Sequence, residues 1–192
     1  MLKKKYLIGI VTSLLLIFTC VVLYNQIGSN KISYNSELPF GGYGTWTDGN
    51  YSINQLSNKS DLIVEGKVIK STPKMSDIIV LTYHDIKIQK CFKGNKKAND
   101  IIQIVQTGGI LNNKITQQLY DDPLLEQDSN CFLFLKNTKD GYAVLGGFEG
   151  IVRMQGNNTN IIVPQDKIGQ TFKDKNEIEV SKIIENTLAK QN

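Results

Sequence analysis

The chain carries a single histidine, His84, so any serine- or cysteine-based triad would have to be built on it. Its setting argues against that role. His84 lies in the run Ile78–Phe92, whose even positions Val80, Thr82, His84, Ile86 and Ile88 form one face of a strand. The odd positions Leu81, Tyr83, Asp85, Lys87 and Gln89 form the other. Asp85 and Cys91 therefore point away from His84, which reads as a partly buried strand histidine. One histidine and two scattered cysteines, Cys91 and Cys131, give neither C-x-x-C nor H-x-x-x-H spacing for zinc. Asp121 and Asp122 lack the acidic ladder and distal glutamate of a calcium loop, and before Pro123 they read as the start of a turn. Gly146–Gly150 lacks the Lys-Ser/Thr of a phosphate loop. Lys93, Lys96 and Lys97 read as a solvated turn. Carboxylate pairs for glycoside hydrolysis are defined by separation in space, so spacing alone picks none out. No catalytic residue, metal or cofactor is assigned, and the expectation is a non-enzyme.

What remains are binding candidates. Tyr43 and Trp46 sit in the glycine-rich segment Leu38–Asn50, and aromatics on open loops are common anchors. In the competing reading, Phe40, Tyr43 and Trp46 plug one end of a barrel. Asp121 and Asp122 lie in the long segment Ile110–Asn130, and loops of this length are often functional. Cys91 and Cys131 could form a disulfide in an oxidising compartment. Two buried thiols are the other reading, and strand distance decides between them.

These residues need elements to hold them. Ile53–Ser60 reads as a short helix. Leu62–Lys70, Ile78–Phe92, Asp100–Thr107, Cys131–Leu135, Tyr142–Leu145, Ile151–Met154 and Thr159–Val163 read as strands, the last two a hairpin over Gln155–Asn158. Gly66 interrupts the first strand and predicts a bulge or sharp bend. CFLFL, residues 131–135, is too apolar to be anything but a buried strand. Glu177–Lys190 places Val180, Ile183, Ile184 and Leu188 on one helical stripe. The expected fold is mainly β: a small OB-like barrel with a short N-terminal helix and a C-terminal amphipathic helix, a sandwich being the alternative.

Tyr6–Tyr24 is nineteen residues without a charge, preceded by Lys3, Lys4 and Lys5. Such a run is long enough to cross a bilayer, and the lysines place its start in the cytoplasm. We expect a signal-anchor over residues 1–27, a stalk and Gly/aromatic segment over 28–50, and an extracytoplasmic domain over 51–192. A lipoprotein cut at Cys20 and a cleaved signal are the alternatives. Roughly 160 residues follow the anchor, enough for one domain with a real core. The net charge is +4, and three of those charges are Lys3, Lys4 and Lys5, leaving the rest near +1. This excludes a nucleic-acid footprint. Arg153 is the only arginine.

The segments Ser60–Val68, Ile86–Gly94, Asp122–Leu125 leading to Cys131–Leu135, and Leu145–Gly147 with Gly150 resemble a family of exported, mostly uncharacterised proteins of low-GC Gram-positive bacteria. The order of elements is similar, more distantly, to the OB-type barrel of metalloproteinase inhibitors and netrin-like modules. The first resemblance implies export without a known activity. The second implies a fold only, since the inhibitors' metal-gripping N-terminal cysteine has no counterpart here. The expected role is a binding module that meets the bilayer through Tyr6–Tyr24 and an envelope protein or cell-wall component through its outer domain. An envelope hydrolase using carboxylates, or an inhibitor-like module, is the alternative.

Overall fold

The computed structural model of the protein describes residues 41–42, 49–77, 79–111, 114–116, 118–139, 141–161 and 166–191, within the unit Ser36–Asn192. The run Tyr6–Tyr24, Cys20, Tyr43 and Trp46 lie outside these residues. No helix among the described residues is long and apolar enough to cross a membrane.

The elements run β1 (Gly41–Gly42), α1 (Ile53–Lys59), β2 (Leu62–Ser76), β3 (Ile79–Lys93), β4 (Ile101–Thr107), β5 (Gly109–Leu111), β6 (Lys114–Thr116), β7 (Gln118–Leu119), β8 (Asn130–Thr138), β9 (Gly141–Val144), a 3-10 turn (Gly147–Gly150), β10 (Ile151–Gln155), β11 (Asn158–Asn160), α2 (Lys167–Phe172) and α3 (Glu177–Ala189). The main sheet has the order β11-β10-β8-β2-β3-β4, with β9 also on β8. It is mainly antiparallel and curls into an open half-barrel.

The curl begins in the β2–β3 hairpin, where the register shifts between Ile63/Val64, Glu65/Gly66 and Val68/Lys70. Gly66 is at the bend its presence predicted. A Cβ there would sit 2.5 Å from the Ile86 Cγ2 and 3.1 Å from the Lys87 carbonyl. The bare backbone lets the two strands close over each other.

β2 is longer than expected, continuing through Pro73 to Ser76. β8 pairs only with Leu62–Lys67, so in the main sheet the later part of β2 pairs with β3 alone. Proline is tolerated where its missing N–H faces away from the ladder.

β8 divides two cores. Phe132 and Phe134 join Ile63, Val152, Met154, Phe172, Val180 and Ile184 under the helices. Cys131, Leu133 and Leu135 join Val64, Val68, Ile86, Ile88, Ile102 and Ile104 inside the curl. That is why CFLFL shows no alternation: both faces of this strand are buried. The predicted faces of β3 are as read. Val80, Thr82, His84, Ile86 and Ile88 are all buried, and their odd neighbours are not.

The helices close the outer face. Ser52 and Gln55 form a capping box on α1, and Asn176 and Glu179 another on α3. α3 buries Val180 and Ile184 as its stripe predicted. Two features were not predicted. α2 is one, its N-cap Asp166 accepting from the Gly169 N–H. The other is the broken strand content of the long segment, where β5 pairs with β6 and β7 takes Gly41–Gly42 in parallel.

Candidate functional site

Three groups of polar or exposed residues stand out, and they fall in different layers. The first is inside the curl. Arg153 projects from β10 and donates from Nη2 to Asp122 Oδ1 at 2.5 Å and to the Pro123 carbonyl at 2.7 Å. Gln106 of β4 donates to the same Asp122 oxygen at 2.9 Å and accepts from the Leu125 N–H at 2.9 Å. The segment Asp121–Leu125 is thereby pinned across the curl, with Leu125 in the inner core. Asp122 is thus a structural ion-pair residue, and Asp121 beside it is also buried. Burial raises the Asp122 carboxyl above its ordinary value, against the pull of Arg153 and Gln106.

His84 belongs to this interior. It is fully buried, its Nδ1 lies 2.8 Å from Ser71 Oγ, and its Nε2 has no partner among the described residues. Burial, and then the Arg153 charge, lower its pKa to about 4. Asp85, on the opposite face, accepts from Gln103 Nε2 at 2.7 Å. The histidine is a core residue, as its strand face predicted.

Cys91 and Cys131 are free thiols. Val64 of β2 pairs with Cys91 on one side, and Gly66 of β2 pairs with Cys131 on the other. A whole strand separates them, roughly 10 Å across two strand spacings, beyond the ~7 Å Cα limit of a disulfide. The bridge that an oxidising compartment would permit is therefore not formed. Burial pushes the Cys131 thiol up to about 12, which leaves it unreactive at neutral pH.

The second group lies between sheet and helix. Glu65 of β2 is buried beneath the first turns of α3, hydrogen-bonded to Glu177 and within 3.4 Å of Ser181 Oγ. Asn130 of β8 donates to Glu177 at 3.4 Å, and Lys90 of β3 pairs with Glu185 at 2.7 Å. Burial first, and Glu177 second, raise the Glu65 carboxyl to about 7. The folded protein therefore favours protonated Glu65. The stability this contributes is full below the ordinary value of 4.5 and is lost as pH rises through about 7. His84 acts with the opposite sign, its contribution full above 6.5 and lost as pH falls through about 4. The two offset each other in the wild type. In Glu65→Gln the thermal midpoint should climb from pH 4 to pH 6.5, the interval set by His84, more steeply than in the wild type. Parallel profiles in the two proteins would refute this assignment.

The third group is on the outside. The backbone bonds Gly108 N–H to Val80 O (2.8 Å) and Ile88 N–H to Asp100 O (2.9 Å) set the phase of the β3–β4 ladder. Ile102, Ile104 and Gln106 bond to β3, so the backbone groups of Ile101, Gln103 and Val105 face away from it. β9 runs alongside, and the bond from Leu145 N–H to Phe134 O turns the backbone of Tyr142 and Val144 away from β8. β4 and β9 lie close together, but they form no ladder among the described residues. A groove of about 280 Å³ follows this seam, lined by Tyr83, Lys96, Ile101–Val105 and Tyr142. Ile101 is 60% exposed and Val105 41%.

A larger groove of about 520 Å³ lies under the segment Pro123–Asn130, lined also by Lys67, Arg153 and Asn160. Of its charged residues, Lys67 pairs with Asp128 and Arg153 with Asp122. Among the described residues no three acidic, histidine or cysteine side chains converge to hold a metal.

Of the binding residues expected from the sequence, Tyr43 and Trp46 lie outside the described residues, and Asp121 and Asp122 are buried. The seam residues were missed, because IIQIVQT reads as one more buried strand. The only warning was that its odd positions, Ile101 and Val105, are as apolar as its even ones.

No family model matches the chain, and no curated protein matches it in sequence.

Proposed function

We propose that the protein is a single-pass envelope protein whose outer domain is a binding module, with the β4–β9 seam as its contact face. The observation that carries this is the exposed apolar edge formed by Ile101 and Val105, in a chain whose histidine and Asp122–Arg153 pair are committed to the core. The barrel is read as OB-like. The meander β2-β3-β4, the return of β8 to β2, and β9 and β10 on β8 support this reading, with β4 and β9 at the join that no ladder closes. In OB folds the outer face of the second and third strands and the loop before the fifth carry ligands, and the corresponding places here are β3, β4 and the turn before Gly141. Tyr6–Tyr24 with its three lysines supports the anchored placement, and the segment resemblances support export; fold alone would not name the role.

The test is site-directed photo-crosslinking of the full-length chain in its own membranes. A photo-reactive residue replacing Ile101 should capture an envelope component, and one replacing the exposed Asn186 on α3 should not. Equal capture from both sites, or none from Ile101, would overturn the reading.

Glu65 and Glu177 carry the second reading, an envelope hydrolase. One carboxyl held protonated beside another is what acid–base chemistry requires, and Asn130 links the pair to the rim of the larger groove. Hydrolysis of envelope material that disappears in Glu65→Gln, with the fold intact, would establish it.

A further inference from the structure

We infer that the outer face of β3, β4 and the later half of β2 rests on a bilayer surface bearing anionic phospholipids, its lysines among the headgroups and its exposed apolar side chains at the acyl boundary. This rests on the binding-module reading and its anchored placement, and it names lipid as the partner of the contact face.

The register assembles this face. Paired residues of an antiparallel ladder project on the same side. Tyr83 pairs with Val105, Asp85 with Gln103 and Lys87 with Ile101. On the other side of β3, Lys74 pairs with Leu81 and Lys70 with Asp85. All of these alternate with the buried positions Thr82, His84 and Ile86 and with Ile102 and Ile104. Two contacts agree with the placement: Lys74 stands 5.0 Å from the Tyr83 ring, and Gln103 donates to Asp85 at 2.7 Å. The apolar core beneath the helices takes no residue from β4, nor from β2 beyond Ile63. Lys70, Lys74, Lys87, Ile101 and Val105 are accordingly exposed, as is Ile79 at the start of β3.

The chemistry of the face selects the partner. Lys70, Lys74 and Lys87 form no ion pair among the described residues. Asp85, the carboxylate in their midst, is held by Gln103. Lysine is depleted where proteins bury surface against one another. It suits an anionic headgroup layer, where each lysine adds to the attraction and its stem lies along apolar surface while the ammonium stays in water. Ile79, Ile101 and Val105 supply apolar area to set against the acyl boundary, and Tyr83 is of the aromatic type enriched at that depth. A second copy of the chain would bring lysine against lysine. Chain length allows the contact as well: from Tyr24, the end of the expected anchor, to Gly49 the chain spans at most ~90 Å. A tether of that reach keeps the face at high local concentration near its own bilayer, so a weak contact is enough.

The experiment reconstitutes the full-length chain in vesicles of phosphatidylglycerol and phosphatidylcholine. A photo-reactive residue replaces Ile101, Val105 or, on α3, Asn186. Phospholipid adducts, read by mass, should form at both β4 positions and about tenfold less at Asn186. They should fall about tenfold in vesicles of phosphatidylcholine alone, and added salt should weaken them. The triple variant Lys70→Gln/Lys74→Gln/Lys87→Gln should lose them to the same extent. Its three sites are exposed and outside any ion pair among the described residues, so it should fold with an unchanged denaturation midpoint. The triple variant Lys70→Arg/Lys74→Arg/Lys87→Arg should keep the adducts. Equal labelling at Ile101 and Asn186, or indifference to lipid charge and to the glutamine variant, would overturn the inference. Capture of a protein or wall polymer at Ile101 in native membranes, with no phospholipid adduct in vesicles, would remove the lipid and leave the binding-module reading standing. No capture in either setting would end both.

Discussion

Replacing Arg153 with leucine should destabilise the domain by about 3–5 kcal/mol, the cost of leaving a buried carboxylate without its partner. Arg153 and Asp122 are 7% and 5% exposed, so neither recovers water when the other is removed. The loss should be pH-dependent. Without the guanidinium, Asp122 remains buried and its folded pKa moves further above the unfolded value. A group raised in this way contributes most below its unfolded pKa and loses that contribution as pH rises. Chemical denaturation of Arg153→Leu should therefore approach the wild type toward acid pH and diverge at neutral pH. The double variant Arg153→Leu/Asp122→Leu should recover much of the loss, since a well-packed apolar pair often replaces a buried ion pair at little cost. An additive double variant would mean that the two residues act separately.

Phe132→Ala should cost a similar amount, about 3–5 kcal/mol. Phe132 is fully buried and lies 6.0 Å, centroid to centroid, from Phe92, on the face of β8 that the helices cover. Leu133, its neighbour, points into the other core. Truncating Phe132 opens a cavity between sheet and helices while the inner core keeps its packing. Denaturation should show the loss, and amide exchange in α3 should rise more than in β4. Equal acceleration in both would indicate that the two cores unfold as one.

How far these features were legible depends on whether their cause is local. The faces of β3 follow from period-two alternation, and the stripe of α3 from helical spacing, so both were readable. Gly66 announced its bend because a glycine within β-branched residues has few other uses. The later half of β2 was not legible, since Pro73 argues against a strand unless one knows that no strand pairs on its far side in the main sheet. Glu149 looked like part of a glycine-rich bend. It accepts from the Asn50 and Tyr51 N–H groups, a partnership across the whole domain that spacing cannot reveal. The same holds for the Asp122–Arg153 pair and for Glu65 beneath α3. For Arg153 there was one clue: the only arginine of the chain falls within an apolar strand, IVRM, where a charge needs a reason. The seam was the least legible feature, because exposure of β4 is decided by the strand that fails to join it.

The position of β8 has a consequence for biosynthesis. Leu62 of β2 pairs with Leu135 of β8, so the meander β2-β3-β4 is synthesised well before the strand that seals its inner edge. Pairings this distant in sequence form late. During that interval Val64, Val68, Ile86 and Ile88 present an uncovered apolar sheet, the kind of intermediate that aggregates or engages a chaperone. If the nascent chain crosses a membrane as an extended thread, this window opens on the far side, and the yield of the protein there depends on how quickly CFLFL arrives.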